Sequence, residues 1–307
     1  MRPRFARPPA LTLVTSGLRR PVWPAVVAVG LMLPLGAQAG DRLLGAWGVS
    51  QVEGAGGGGL TPWATITGPG SSDQHGQVVY ATQVRTQGGY RLRVAGAAIG
   101  IRDRVELSMA RWSFKLSDDV VPGKSLEMSV IGAKVRLVGD AVYDQHTALP
   151  QLSVGVQHKQ ADDVGALRSL GLPIRADEDF DVYLSATKLW LGLAAGHNVL
   201  GSLTLRWTRA NQFGLLGFGG EEQADRTLQL EGSVGVMLRD DLVVGAEWRG
   251  KPDNLGVPGF EEDAAWDVFA AWFPGRHVNL TVAWLHLGNI ATLRRQQGLY
   301  LSGQMAF

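Results

Sequence analysis

The chain ends in Gly298-Leu-Tyr-Leu-Ser-Gly-Gln-Met-Ala-Phe307, a stretch in which apolar residues recur at every second position. Successive side chains of a strand point to opposite faces of the sheet. One face therefore carries Leu299, Leu301, Gly303, Met305 and Phe307, and the other carries Tyr300, Ser302 and Gln304. The pattern predicts a strand whose apolar face contacts either lipid or the core of a soluble sheet.

Eleven earlier segments show comparable alternation and are separated by polar, glycine-rich or proline-containing breaks. They are residues 78–87, 90–101, 104–116, 126–138, 150–159, 179–191, 199–211, 226–238, 242–251, 263–273 and 278–287. The breaks alternate between short and long, as in transmembrane barrels, where short turns face the periplasm and longer loops face outward. Together with 297–307 they predict twelve strands, and the extended stretch 60–67 leaves fourteen as the alternative.

A membrane location of these strands would restrict the fold, because their backbone groups would have no water to bind. Only helices and closed barrels satisfy every backbone hydrogen bond in lipid, and from Gly40 onward no run reaches the ~20 apolar residues that a membrane helix needs. The predicted fold is therefore all-β, a single antiparallel transmembrane β-barrel in the bacterial outer membrane, in contact with the lipid bilayer. A soluble β-sandwich is the alternative.

Two sets of outward side chains follow from the barrel prediction. Tryptophans near strand ends are expected to form girdles at the lipid–water boundaries: Trp112, Trp190, Trp207, Trp248, Trp266, Trp272 and Trp284. The apolar face that ends at Phe307 is interpreted as the assembly signal, and periplasmic chaperones and the barrel-assembly machinery are its expected partners. Lipopolysaccharide is a further expected partner.

The N-terminus is predicted to be a cleaved signal peptide over residues 1–39. Five arginines precede a short apolar run from Pro24 to Gly36, and Ala37-Gln38-Ala39 supplies small residues for cleavage. These arginines account for the formal charge of +1, so the mature chain is acidic, and nucleic acid is not an expected partner. The remaining chain divides into a glycine-rich segment, 40–76, and the barrel, 77–307.

The glycine-rich segment is interpreted as a flexible connector or a plug folded into the barrel lumen. Its run of glycines lacks the Gly-Lys-Ser/Thr of a phosphate-binding loop. The segment contains Gly40-Asp-Arg-Leu-Leu44, Gly48-Val-Ser-Gln-Val-Glu-Gly54 and Gly58-Gly-Leu-Thr-Pro-Trp-Ala64. With these motifs, with Asp103–Ser108 and with the terminal Phe307, the chain resembles a family of proteobacterial outer-membrane proteins known only as a domain of unknown function. The resemblance implies an outer-membrane barrel and no particular activity.

The faces opposite the apolar ones are predicted to line the lumen. Their charged residues are Arg85, Arg91, Arg93, Glu106, Lys134, Arg136, Asp181, Arg206, Glu231, Glu247, Arg249 and Asp267. Bases on one wall and acids on another would set a transverse field and an ion preference; alternatively, the charges pair and fill a small lumen. In segment 126–138 the alternation changes phase near Ile131 and Gly132, which predicts a β-bulge.

The leading functional hypothesis is a narrow channel or uptake barrel for small polar solutes. A closed structural or surface-exposed barrel and an outer-membrane lipid-modifying enzyme are the alternatives. No catalytic residues are predicted, because none of the six histidines lies in a recognisable nucleophile motif. Cysteine is absent, so there are no disulfides or thiolate metal sites. We expect no cofactor, no metal and no enzymatic activity.

Overall fold

The computed structural model describes residues 44–118, 123–290 and 292–307, and the predicted signal peptide lies outside these residues. Two short strands, β1 (Val49–Ser50) and β2 (Gly56–Gly57), form a small hairpin. Twelve further strands form a closed antiparallel barrel. They are β3 (His75–Thr86), β4 (Arg91–Ile101), β5 (Val105–Lys115), β6 (Ser125–Val138), β7 (Gln151–Ala161), β8 (Glu178–Ala194), β9 (His197–Thr208), β10 (Thr227–Arg239), β11 (Leu242–Arg249), β12 (Ala265–Gly275), β13 (Val278–His286) and β14 (Gln297–Ala306).

The barrel closes where β14 pairs with β3, from Gly298 opposite Thr86 to Ala306 opposite Val78. Every other barrel strand pairs with its neighbours in sequence. The twelve-stranded all-β barrel predicted from the alternation is confirmed, and the fourteen-stranded alternative is wrong. Closure leaves no strand edge unpaired, which a sheet surrounded by lipid requires.

The two ends of the barrel differ. At one end, turns such as 102–104, 195–196 and 240–241 are short. At the other, longer loops include 162–177, which contains a helix α1 (Val164–Ser169), and 209–226, which contains a 3-10 turn over Asn211–Gly214. Short turns face the periplasm in such barrels, so the long-loop end faces outward. Within the described residues, no helix has the length and apolar character needed to span a bilayer.

The outer wall is largely apolar. Large side chains such as Leu203, Leu230, Val268 and Val282 are exposed on it. Six predicted girdle tryptophans also lie on this wall, namely Trp190, Trp207, Trp248, Trp266, Trp272 and Trp284, as do Leu299, Leu301, Met305 and Phe307 of the predicted assembly signal. Together with barrel closure, this exposed apolar wall places the protein in the bacterial outer membrane.

The girdle prediction is wrong for Trp112. Its indole is 3 % exposed and donates a hydrogen bond from Nε1 to the carbonyl oxygen of Val52 at 2.7 Å. The side chain therefore points into the lumen. Because β5 carries apolar residues on its inward face as well, proximity to a strand end did not identify the face on which this tryptophan lies.

The lumen is filled by the chain's own N-terminal segment. Every residue from Ala46 to Gly70 is buried, and the β1–β2 hairpin lies within this stretch. Two parts of this stretch lie so close together that position 57 must be glycine. A Cβ on Gly57 would lie 2.4 Å from the carbonyl oxygen of Thr61 and 2.6 Å from the amide nitrogen of Trp63. We call residues 46–70 the lumen segment.

Candidate functional site

The lumen segment is held by a buried cluster of six charges centred on Glu53. The carboxylate of Glu53 lies 2.5 Å from Lys159 Nζ, 2.9 Å from Arg249 and 3.6 Å from Arg206. Two anions of the barrel wall complete the cluster: Asp181 contacts Lys159 at 2.6 Å, and Glu231 contacts both arginines. Three cations balance three anions, and Glu53 is the one member that comes from the lumen segment.

The charge of Glu53 is stabilised despite its complete burial. Burial alone would raise the pKa of its carboxyl group, but the positive charges of Arg249, Lys159 and Arg206 together outweigh burial and hold the pKa below its ordinary value. Removing a single partner from such a buried set leaves an uncompensated charge. The lumen segment and the wall are therefore electrostatically complementary at this point.

Two wall carboxylates bind the backbone of the lumen segment elsewhere. Glu106 accepts hydrogen bonds from the amides of Gly56 at 2.9 Å and Thr67 at 2.8 Å, and Lys134 lies 3.0 Å away. Lys134 donates in turn to the carbonyl oxygens of Gly56 and Trp63. These contacts satisfy backbone groups that water cannot reach.

Glu247 forms the third attachment. Its carboxylate accepts hydrogen bonds from the amide of Leu60 at 2.8 Å and from the hydroxyl of Thr61 at 2.6 Å. A Cβ on Gly58 would lie 1.9 Å from the same carboxylate, so glycine is required for this close approach. Asp267 lies directly opposite Glu247 on β12, and its Oδ1 has no hydrogen-bond partner among the described residues.

Above the lumen segment, towards the long loops, lies an apolar cavity of about 60 Å³. Its floor is Val52 and Leu60 of the lumen segment. Its walls are inward side chains of the barrel, and its roof comes from two long loops; walls and roof comprise Val84, Thr86, Leu92, Trp112, Phe114, Leu116, Gln212, Phe213, Leu215, Leu216, Leu285, Leu287, Ile290 and Tyr300. We call this cavity the chamber. Nearly all of the surface that it presents is apolar.

The roof of the chamber is a strained turn with polar attachments. Gln212 and Phe213 have positive φ angles of 46° and 63°, which non-glycine residues seldom adopt. The amide of Gln212 donates to Glu262 at 2.7 Å, and its side chain donates to the carbonyl oxygen of Asn289 at 2.7 Å. Glu262 is itself buried and lies 2.8 Å from Lys251 Nζ. The turn is thus fixed by residues of two other long loops.

The predicted lumen-lining residues divide into two groups. The buried inward set comprises Glu106, Lys134, Asp181, Arg206, Glu231, Glu247, Arg249 and Asp267. Arg136 lies nearer the short-turn end and pairs with Asp103 and Asp140. These charges mostly pair with one another or bind the lumen segment, as in the filled-lumen alternative.

The lumen-lining prediction is wrong for Arg85, Arg91 and Arg93. Arg85 and Arg93 are exposed, Arg91 is half-buried, and the residues that alternate with them, Val84 and Leu92 among them, are buried. The three arginines therefore point outward. The physical reason is that β3 and β4 line the chamber near the long loops, so their apolar face is the inward one there.

Sequence reasoning missed Glu53 and Lys159 as site residues. Both are fully buried and lie within the central charge cluster. Glu53 belongs to Gly48-Val-Ser-Gln-Val-Glu-Gly54, a motif that carries the family resemblance, and a lone acid in a glycine-rich stretch was the available signal. Among the described residues, no group of three or more His, Asp or Glu side chains has the arrangement of a metal site.

These features define an outer-membrane β-barrel whose lumen is occupied by its own N-terminal segment. The chain belongs to the family described as "Protein of unknown function (DUF3034)", which matches residues 46–304 and thus includes both the lumen segment and the barrel. No curated protein sequence matches the chain.

Solved structures with similar folds are outer-membrane barrels. The KdgM porin is 9% identical with a TM-score of 0.47, and the match covers 75% of this chain and 99% of that one. An outer membrane channel from Pseudomonas putida F1 is 14% identical (TM-score 0.39; 81% and 97% covered). LpxR from Salmonella typhimurium is 12% identical (TM-score 0.43; 76% and 99% covered). At these identities the likenesses concern the barrel fold and transfer no activity.

Proposed function

We propose that this protein is an uptake barrel for small solutes, that the structure represents its closed state, and that the lumen segment is the gate. The observation that carries the proposal is the chamber, an apolar cavity that lies inside the barrel between the lumen segment and the outer loops. A structural barrel has no need of such a cavity, because close packing of its interior would stabilise it further.

The lining of the chamber favours apolar solutes over the small polar solutes expected from the sequence. Cavities lined by Leu, Phe and similar side chains exclude water and accept small apolar molecules. A polar solute would lose its hydrogen bonds to water on entering and gain few in return. A volume of about 60 Å³ holds only a very small molecule in the closed state, so a larger solute requires movement of the roof turn.

Passage beyond the chamber requires the lumen segment to move, since Val52 and Leu60 form the floor. When the segment leaves, water replaces its contacts with the charged wall around Lys159, Arg206 and Asp181. A solute would therefore enter through the apolar chamber and leave past the charged wall. Such a path fits a solute that the barrel binds only weakly. The ion cluster around Glu53 sets how often the segment leaves.

The enzyme alternative has less support. Four histidines have described contacts. His197 contacts the carbonyl oxygen of Met237, His277 that of Ala306, and His158 lies 3.7 Å from Glu178. His286 accepts a hydrogen bond from the amide of Gly288 and stacks on Trp266. A lipid hydrolase of the serine type needs a histidine within hydrogen-bond reach of its nucleophile. The absence of enzymatic activity remains a prediction.

Uptake by intact cells tests the proposal, because the outer membrane slows the entry of apolar molecules. A strain that lacks the gene is complemented with wild-type protein or with Val84→Trp, which fills the chamber from a residue that is 2 % exposed. We expect wild-type protein to raise the initial rate of labelled toluene entry, and V84W to abolish the increase. The matched control is Val234→Trp, on the outer wall at 48 % exposure.

A second variant and a second solute keep the test decisive if V84W fails to fold. Phe213→Ala enlarges the chamber and is expected to speed the entry of larger aromatic hydrocarbons. Equal toluene entry with and without the protein would refute the proposal. Faster swelling of protein-containing liposomes in arabinose, with no effect on toluene, would instead support the channel for polar solutes.

A further inference from the structure

Four cationic side chains lie together on the outer wall near the long-loop end. Arg85 on β3 is directly opposite Arg91 on β4, and Arg91 is directly opposite Lys115 on β5. Arg93 lies two residues further along β4, on the same outward face. We call these four residues the basic patch.

Among the described residues, the basic patch lacks a matching set of anions. Lys115 lies 3.2 Å from Asp118, which is the nearby acid among the described residues, and Arg85 can bond to the side-chain amide oxygen of Gln83. Neither Arg91 nor Arg93 forms an ion pair with a described residue, and Asp118, which Lys115 already contacts, is the acid that attracts Arg91 over a longer distance. Like charges placed directly opposite one another destabilise a sheet, so this arrangement favours an anionic partner from outside the chain.

The neighbouring Arg111 shows that acids are present in this sector but are engaged elsewhere. Its guanidinium pairs with Glu127 on β6 and with Asp162 in the following loop, the latter at 2.6 Å. Lys124 likewise pairs with Asp163 at 2.9 Å. The wall of β5 and β6 thus neutralises its own cations, whereas the wall of β3 and β4 does not.

The position of the basic patch along the barrel identifies the partner. Arg85 is opposite Leu299, which is opposite Trp284 of the outward tryptophans. Aromatic belts lie at the level of the lipid headgroups. The patch therefore lies where the headgroups of the outer leaflet meet the protein, and not at the centre of the hydrocarbon.

We propose that Arg85, Arg91, Arg93 and Lys115 bind the phosphate groups of a phosphorylated glycolipid of the outer leaflet, of the lipopolysaccharide type. Arginine presents several donors in a planar fork that matches phosphate oxygens. Adjacent strands are about 4.8 Å apart, and residues two apart on a strand are about 6.8 Å apart, so the four charges can surround one or two phosphate groups. Apolar residues further down the same wall, including Ile99 and Leu107, face the acyl chains.

Native mass spectrometry of the full-length mature protein in detergent tests the proposal directly. Purified lipid A carrying two phosphates is added to wild-type protein and to the double variant Arg91→Gln/Arg93→Gln. The matched control is Arg102→Gln/Arg104→Gln, which removes two exposed arginines at the short-turn end. We expect the bound fraction to fall at least tenfold in the first double variant and to be unchanged in the control.

Two further measurements separate the explanations. Dephosphorylated lipid A is expected to bind wild-type protein no better than it binds the R91Q/R93Q variant, and millimolar inorganic phosphate is expected not to displace the intact lipid. Equal binding of phosphorylated lipid to both double variants would overturn the proposal, and so would dephosphorylated lipid that binds wild-type protein as well as phosphorylated lipid does. The outcome is independent of toluene uptake, so this inference and the proposed function stand or fall separately.

Discussion

Replacing Glu53 with glutamine should release the lumen segment. The substitution keeps the shape of the side chain but removes its charge, so Lys159, Arg206 and Arg249 remain with only Asp181 and Glu231. The buried cluster then carries one uncompensated positive charge while the segment is in place. When the segment leaves, water reaches the cations, so the substitution destabilises the closed state and not the open one.

The size of the effect follows from the geometry. All six side chains of the cluster are at most 3 % exposed, so solvent screens their interactions little. Breaking a buried charge pair by removing one partner costs about 3–5 kcal/mol. Since about 1.4 kcal/mol corresponds to a tenfold change in an equilibrium constant, the open population should rise by about 140- to 3,700-fold.

Cysteine labelling measures this population, because the chain has no cysteine of its own. Thr65 is fully buried in the lumen segment, and its hydroxyl has no hydrogen-bond partner among the residues that the structure describes, so Thr65→Cys should perturb the closed state little. The rate of its reaction with a maleimide in detergent then reports how often the segment is exposed. We expect Glu53→Gln to raise that rate by two to three orders of magnitude.

The control is Glu127→Gln, which removes a partly exposed partner of Arg111 on the outer wall. Ion pairs of that kind contribute about 0–1 kcal/mol, and the labelling rate should stay within a few-fold of the wild-type rate. An unchanged rate in Glu53→Gln, with a barrel that still migrates as folded in unheated gels, would show that Glu53 does not hold the segment.

Three further perturbations act on the same closed state. Gly57→Ala places a Cβ within 2.6 Å of two backbone atoms, so Thr65→Cys should label faster, whereas Gly165→Ala, where a Cβ meets nothing within 4 Å, should leave labelling unchanged. Trp112→Phe removes the 2.7 Å hydrogen bond to the Val52 carbonyl and leaves it only the longer 3.5 Å hydrogen bond from the Tyr80 hydroxyl, at a cost of about 0.5–1.5 kcal/mol; labelling should rise roughly 2- to 12-fold, and Trp284→Phe on the outer wall should have no effect. Burial raises the pKa of Glu262 and outweighs the opposing charge of Lys251, so its stabilising contribution is present below the ordinary carboxyl pKa and is lost as the pH rises through the raised one. Hydrogen exchange of the 211–216 turn, corrected for intrinsic rates, should therefore quicken with rising pH in wild-type protein but not in Glu262→Gln; a slope that survives in Glu262→Gln would assign the pH dependence to another group.

The strands themselves were predictable, because alternation and turn spacing are local properties of the sequence. The predicted segment 226–238, for example, corresponds to β10 at Thr227–Arg239. The direction in which each face points is not local. It depends on what fills the lumen, and a lumen with both a charged region and an apolar chamber reverses the usual rule in part of the wall. The three arginines of β3 and β4 were misplaced for that reason.

Strand β6 shows the same reversal within a single element. The predicted bulge near Ile131 and Gly132 is wrong, because β5 and β6 pair without a break from Val105 opposite Val135 to Lys115 opposite Ser125. The register shift with β7 occurs later, between Arg136 and Val138. The strand is unbroken, and the change in phase instead reflects a change in what its inward and outward faces contact.

The inward face of β6 passes from Leu126, Met128 and Val130, which are buried near the chamber end, to Gly132 and Lys134 beside the lumen segment. Its outward face passes in the opposite sense, from Ser125, Glu127 and Ser129 to Ile131 and Val135. A single strand therefore crosses two boundaries at about the same height: polar to apolar on the outside and apolar to polar on the inside.

These coincident boundaries connect the two proposals physically. In the sector of β3 to β6 next to the long loops, the wall is apolar inside and charged outside, with Leu92 between Arg91 and Arg93 as its shortest example. Alternate residues form the two faces of a strand, so an apolar inward row and a charged outward row can occur together in one sector. The apolar inward side chains of this sector line the chamber, and its outward arginines form the basic patch. The chamber is present in the structure, and the lipid phosphates that we propose for the basic patch would be the complement of the outer face.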